Sequence, residues 1–282
     1  MRRWVMVIAV AVIAVLTVGL ILAFVQRQRL TADRLKCENQ FRQLGTFAEK
    51  YTKATSNLKP GELPPPDILN WVPPGTILNP ALPPDQRLSW AAGMLQFLDQ
   101  GAQDTADLSR KLDRTAAWDA GANREVSATT LKLFLCPGAL PEWPADQPAP
   151  TQFIGLAGVG HDAAELPPLS PRAGCFRYDS PTPLALIREN DGLSTTFLFT
   201  ETAADLGPWI RGGFSTVRGL DTRDGAKPPL GRGGQFGGNY PGVVCFGRAD
   251  GSAQFFRDGM SVDVLKAALT IAGGKAEAIP GE

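Results

Sequence analysis

Histidine is almost missing from this chain: His161 is the one imidazole in 282 residues. A Ser-His-Asp hydrolase, a two-histidine zinc site or an HExxH protease would have to be built around that single ring or without one. The glycine motifs that cradle phosphates and nucleotides are missing too. No GxxxxGK[ST], GxSxG, CxxC or GxGxxG occurs; Gly155-Leu-Ala-Gly158-Val-Gly160 and Gly231-Arg-Gly233-Gly234 have the wrong spacing and read as turns. Net charge is also lacking, with 28 Lys and Arg against 28 Asp and Glu. The balance is uneven, however. Residues 1–36 hold six bases and one acid, which leaves 22 bases against 27 acids in the remainder. An acidic body without a basic face excludes nucleic acid as the main partner. His161 lies in a polar Gly-Val-Gly-His-Asp loop, and no loop alternates acidic ligands as a calcium site requires. The expectation is a protein without catalytic residues, metal or cofactor.

What is present begins at the front. Trp4 to Val25 is a run of 22 residues without a charge, interrupted only by Thr17 and Gly19. As a helix it would be about 33 Å long, close to the ~30 Å hydrocarbon core of a bilayer. A cleaved signal would be shorter and end in a small-x-small site, whereas Phe24-Val25-Gln26-Arg27 follows here. Residues 4–25 therefore read as a retained single-pass anchor behind a tail at 1–3, with the lipid bilayer as its partner. A literal count of flanking positive charges leans toward a cytoplasmic body. The short tail with Arg2 and Arg3, and an even set of four cysteines (Cys37, Cys136, Cys175, Cys245), favour a body exported to the periplasm or cell exterior.

The helix continues past the membrane over 26–58, with Leu30, Cys37, Phe41, Leu44, Ala48 and Tyr51 on one stripe. Nine prolines between Pro60 and Pro84 make 59–86 an extended segment, held by Trp71, Ile77 and Leu78. Residues 87–275 form the body, and 276–282 a tail. Asp85 is placed to cap a helix carrying Leu88, Ala92, Leu95 and Leu98. Strands are predicted at Leu131–Cys136, Gln152–Leu156, Gly174–Tyr178, Thr195–Glu201, Gly242–Gly247 and Ala253–Arg257. Asp250-Gly251 between the last two is a tight-turn pair and marks a hairpin. A closing helix starts at Ser261 and carries Val262, Leu265 and Leu269. The class is α+β, a long transmembrane-plus-amphipathic helix packed on an antiparallel sheet with short additional helices.

These blocks fall in a known order. Cys37-Glu-Asn39-Gln-Phe41-Arg-Gln43-Leu44-Gly45, Leu63-Pro64-Pro65, Leu88-Ser89-Trp90 with Leu98-Asp99-Gln100, Trp118-Asp119 with Asn123, Phe134-Leu-Cys136-Pro137, Asn190-Asp191-Gly192-Leu-Ser194-Thr-Thr196 with Glu201, and Phe246-Gly-Arg-Ala-Asp250-Gly251-Ser252 stand in sequence. In this the chain resembles a large planctomycete-type family of pilin-like proteins of unknown function, whose members carry a pseudopilin-like N-terminal helix. The resemblance implies a pilin-like fold and a non-enzymatic structural or interaction role, with secretion-system or pilin-like proteins as partners. Two departures stand out. Residues 1–25 contain no acid and no Phe-Thr-Leu-x-Glu front, so the carboxylate that registers pilin subunits is missing. Tyr240-Pro241-Gly242 stands where the family shows histidine before Pro-Gly.

The resemblance also suggests a pairing for the cysteines. Cys37 and Cys136 lie in family blocks and are expected to bridge; Cys175 and Cys245 would form an additional pair. Asp191, Gly192, Ser194, Asp250, Gly251 and Ser252 are read as turn-closing residues. Trp71, Trp90, Trp118 and Trp143 are the candidate binding surface for an alternative role, a membrane-tethered extracytoplasmic binding protein for carbohydrate or peptide.

Overall fold

A computed structural model describes residues 2–55, 71–98, 105–144 and 146–273. Helix α1 runs unbroken over Arg2–Thr55, as the absence of proline before Pro60 allows. Next come β1 (Trp71–Val72) and the short helices α2 (Trp90–Met94), α3 (Thr105–Lys111) and α4 (Gly121–Ser127). They are followed by β2 (Pro150–Thr151), β3 (Phe153–Val159), β4 (Thr182–Pro183), α5 (Leu184–Glu189), β5 (Phe197–Glu201), β6 (Gly207–Pro208) and β7 (Val217–Leu220). The chain then forms β8 (Val243–Arg248), β9 (Ala253–Arg257) and α6 (Val262–Leu269). The side chains of Ala48, Tyr51 and Trp71, residues 59–70 of the proline-rich segment, and the 276–282 tail lie outside the described residues.

Five strands form the central sheet in the order β7-β3-β5-β8-β9. Its two faces follow from strand periodicity. Along β8, Val243 and Cys245 join the cluster that holds Cys37, Phe41 and Leu44 of α1, while Val244 and Phe246 join the cluster under Leu265, Ala268 and Leu269 of α6. Helices α1 and α6 thus cover opposite faces of the sheet. Phe41 stacks on Phe153 at 4.3 Å on the first face, and Phe197 on Phe246 at 4.1 Å on the second. The β8–β9 hairpin has the expected Asp250-Gly251 turn, and Ser261 Oγ accepts the Val264 N–H to cap α6.

Four sequence expectations are corrected. The sheet is mixed, because β7 runs parallel to β3. Leu131–Cys136 is a 3-10 turn, Lys132–Phe134, because the Gln152 side chain accepts the Cys136 N–H at 2.8 Å in place of a neighbouring strand. The 174–178 segment does bond to β3, through Gly174 N to Ala157 O and Phe176 N to Leu156 O, but the bulge between Leu156 and Gly158 prevents a regular ladder. The helix expected after Asp85 is split. Ser89, whose hydroxyl accepts the Ala92 N–H, caps α2, and the Leu88, Ala92, Leu95 and Leu98 stripe is nonetheless buried. Within the extended segment Ile77 packs on the core, whereas Leu78 is 57% exposed and holds nothing.

Candidate functional site

The two ends of α1 differ in what surrounds them. From Trp4 to Phe24 the described large apolar side chains are exposed, Trp4 at 74% and Phe24 at 63%. Thr17, the one hydroxyl in this stretch, turns its Oγ1 back on Ile13 O at 2.8 Å. The helix is long and apolar enough to cross a membrane, and nothing buries its most apolar stretch. From Cys37 to Leu44 one face is buried. Gly45 is there by necessity, since a Cβ on it would lie 2.8 Å from Gly251 Cα in the β8–β9 turn. Gly251 itself has φ +83°, which a tight turn requires.

Beneath this part of α1 lies a cluster of thiols and one carboxyl. Cys37, Cys136 and Cys245 are buried free thiols, with Cys136 and Cys245 each beside Cys37, and Cys136 Sγ donates to Glu201 Oε2 at 3.9 Å. Bonds from Cys136, then Cys245, pull the Cys37 thiol below its ordinary range against burial, with Tyr240 adding to them. Burial pushes Cys136 and Cys245 well up. Beside them Glu201, fully buried at the end of β5, is raised to about 8 by burial, although Asn239 donates to its Oε2. Its Oε1 has no hydrogen-bond partner among the described residues. Gln152 Nε2 donates to Asn239 Oδ1 at 2.6 Å and to Ala139 O at 2.8 Å, and Tyr240 Oη donates to Pro137 O at 2.8 Å. The network joins α1, β5, β8 and the 136–152 segment.

A comparison with protein families matches residues 26–222 to the family described as Protein of unknown function (DUF1559). The chain belongs to that family. No curated protein and no solved structure matches it. The DUF1559 match contains Cys37, Cys136 and Glu201, while Asn239, Tyr240 and Cys245 complete the cluster from beyond it. Three blocks quoted from the sequence meet at this seam. Gly45 abuts Gly251, Asp250 N donates to Leu193 O, and Ala249 N donates to Thr196 O.

The expected site residues separate accordingly. Neither expected disulfide is shown; all four cysteines stand as free thiols. Cys37 and Cys136 are neighbours, but Cys245 adjoins Cys37, and Cys175 stands apart, its thiol raised by burial alone. Asp250 and Ser252 close their own turn, Asp250 Oδ1 accepting the Ser252 N–H. In the other turn Gly192 has φ +88° and Asp191 Oδ2 accepts from Gly273 N, but Ser194 is exposed and Thr196 makes the closing bond to Gly192 O. Among the described residues Trp90, Trp118 and Trp143 lie in separate surroundings. Trp90 is core, 2% exposed with its Nε1 bonded to Thr216 O; Trp118 is partly buried beneath Arg211; Trp143 bonds Pro148 O in a separate recess. Sequence reasoning missed Gln152 and Asn239. A carboxylate ending the apolar run Phe-Leu-Phe-Thr-Glu201 was the available signal for a buried acid.

Proposed function

We propose that this DUF1559 protein is a membrane-anchored, pilin-like structural or interaction protein that carries no catalytic site. Its anchor lies in the cytoplasmic membrane and its body faces the periplasm or cell exterior. The observation that carries the reading is the continuity of α1, a single helix whose front is bare and apolar and whose rear is built into the sheet. That arrangement fixes the body rigidly to the bilayer, as a subunit or docking element needs and a flexibly tethered binding protein does not. The basic tail at Arg2 and Arg3 supports retention of the short end inside. Without an acid in the apolar helix, partner helices would meet it through apolar packing rather than an ion pair. Secretion-system or other pilin-like proteins are the partners this reading assigns.

The test is protease treatment of spheroplasts from the native host, followed by cross-linking from photoreactive residues at positions 10 and 14. The body should be digested in intact spheroplasts, and the cross-links should reach a second membrane protein or another copy of the chain. A protected body, or cross-links to lipid alone, overturns the proposal.

A further inference from the structure

A pocket of ≈ 400 Å³ opens at the β7 edge of the sheet, the edge opposite β9. Its size is within the range of small-molecule sites. Five charged groups line it: Arg218, Arg223, Lys227, Asp205 and Asp221. Each carboxylate is already held by its own cation. Lys227 Nζ lies 2.6 Å from both oxygens of Asp205, and Arg223 grips Asp221 with Nε at 2.9 Å and Nη2 at 2.7 Å. Arg218 is the cation left over. It is 4% exposed and makes no ion pair among the described residues. Its three bonds go to backbone carbonyls, Nε to Phe214 O, Nη1 to Ala204 O and Nη2 to Asp205 O. Two of its five N–H groups remain. Summed over this lining the charge is one positive, three cations against two carboxylates, so an occupant with a single negative charge balances it.

The remaining lining says what else the occupant carries. Phe214, 54% exposed, lies with its ring 4.4 Å from the Arg218 guanidinium carbon, and with Phe236 it offers apolar wall. The Tyr178 hydroxyl and the His161 ring line the same space and make no side-chain hydrogen bond among the described residues. Asp205 is held at φ +50°, the one described residue other than glycine in the left-handed region, a kind of strain that clusters at ligand clamps. Apolar wall, hydrogen-bonding rim and one unbalanced cation together describe a ring with hydroxyl groups and a single carboxylate. A phosphate dianion would overbalance the charge, and a plain aromatic acid would leave the rim unused.

We propose that this pocket binds a monosaccharide acid of the uronate type, its carboxylate on Arg218 and its hydroxyls on Tyr178, His161 and the two ion pairs. The test is calorimetric titration of the full chain in nanodiscs with galacturonate and glucuronate, against galactose, benzoate and phosphate. At least one uronate should bind saturably, and the three comparison compounds should bind about tenfold more weakly or worse, a difference of ~1.4 kcal/mol. Arg218 also pins three carbonyls, so its variants can fail for structural reasons. Phe214→Ala, at an exposed ring, avoids that difficulty. It should weaken uronate binding about tenfold with the melting midpoint unchanged, the size expected for losing one packed face. No saturable uronate binding, equal binding of galactose, benzoate or phosphate, or full affinity in Phe214→Ala overturns the proposal. None of these outcomes bears on the membrane-anchor reading, which does not involve the pocket.

Discussion

The two halves of α1 share a backbone and differ in what packs against them. In front of Val25 every described large apolar side chain is exposed and no polar side chain except Thr17 interrupts the run; behind Lys36 Cys37, Phe41 and Leu44 are buried against strands, with charged residues around them. The first half gains nothing from the fold of the body, and the second gains nothing from a bilayer. Uniform apolarity is what a helix facing lipid on all sides requires, and a single stripe is what a helix facing one sheet requires. Perturbing either half should therefore leave the other's behaviour unchanged.

The largest effect expected is all or none. Removing residues 2–25 should transfer the protein from the membrane to the soluble fraction while its melting midpoint stays within a few degrees. A body that no longer melts cooperatively would show that the front half contributes to folding, and the comparison would fail.

Next is the pH response of the seam behind α1. Glu201 has its folded value raised from 4.5 to about 8, first by burial, and the Cys37, Cys136 and Cys245 thiols and the Asn239 amide face it. The folded state therefore holds a proton that the unfolded chain gives up. That stabilisation is complete below about pH 4.5 and is lost as pH rises through about 8. It is worth up to about 5 kcal/mol at ~1.36 kcal/mol per unit. In urea denaturation under reducing conditions, the wild type should lose stability relative to Glu201→Gln between pH 5 and pH 9. Parallel curves for the two proteins would show that Glu201 does not titrate in this window.

Phe41→Ala should cost about 3–5 kcal/mol, since it removes a buried ring stacked on Phe153. Its membrane retention should equal that of the wild type. Smaller still is Gly45→Ala, at about 1–3 kcal/mol for a methyl forced against the Gly251 backbone. Chemical denaturation measures both. A neutral Gly45→Ala would mean that α1 and the β8–β9 turn can move apart.

The parts of the fold legible in sequence were those with an uninterrupted period. The 22-residue apolar run, the stripe through Cys37 and Phe41, the alternation of β8 and β9 around Asp250-Gly251, and the Ser261 cap all identify themselves. Strand β7 did not, because Val-Arg-Gly-Leu has no alternation and its parallel partner lies about 60 residues back. The two-residue ribbons β1–β4 and β2–β6 carry Pro183, Pro150 and Pro208, which argue against strands everywhere except at an edge. At the candidate site, Cys37, Cys136 and Glu201 stood in the blocks that resemble the pilin-like family. Their meeting did not show, because it depends on how α1 lies across the sheet. Arg218 left no trace either. A cation held by three backbone carbonyls has no side-chain partner for a sequence pattern to reveal.

The unbroken course of α1 also has a mechanical consequence. Gln26 to Ala32 is helical and exposed, which places a stiff spacer of about 10 Å between the apolar run and Asp33 and Arg34, the first residues to touch the body. From Val15, near the middle of the apolar run, to Phe41 the lever is about 39 Å long. At an ordinary helix tilt of ~20° it would carry the sheet sideways by about 13 Å. A change of bilayer thickness or a neighbouring helix that alters the tilt is thereby converted into a lateral swing of the whole body.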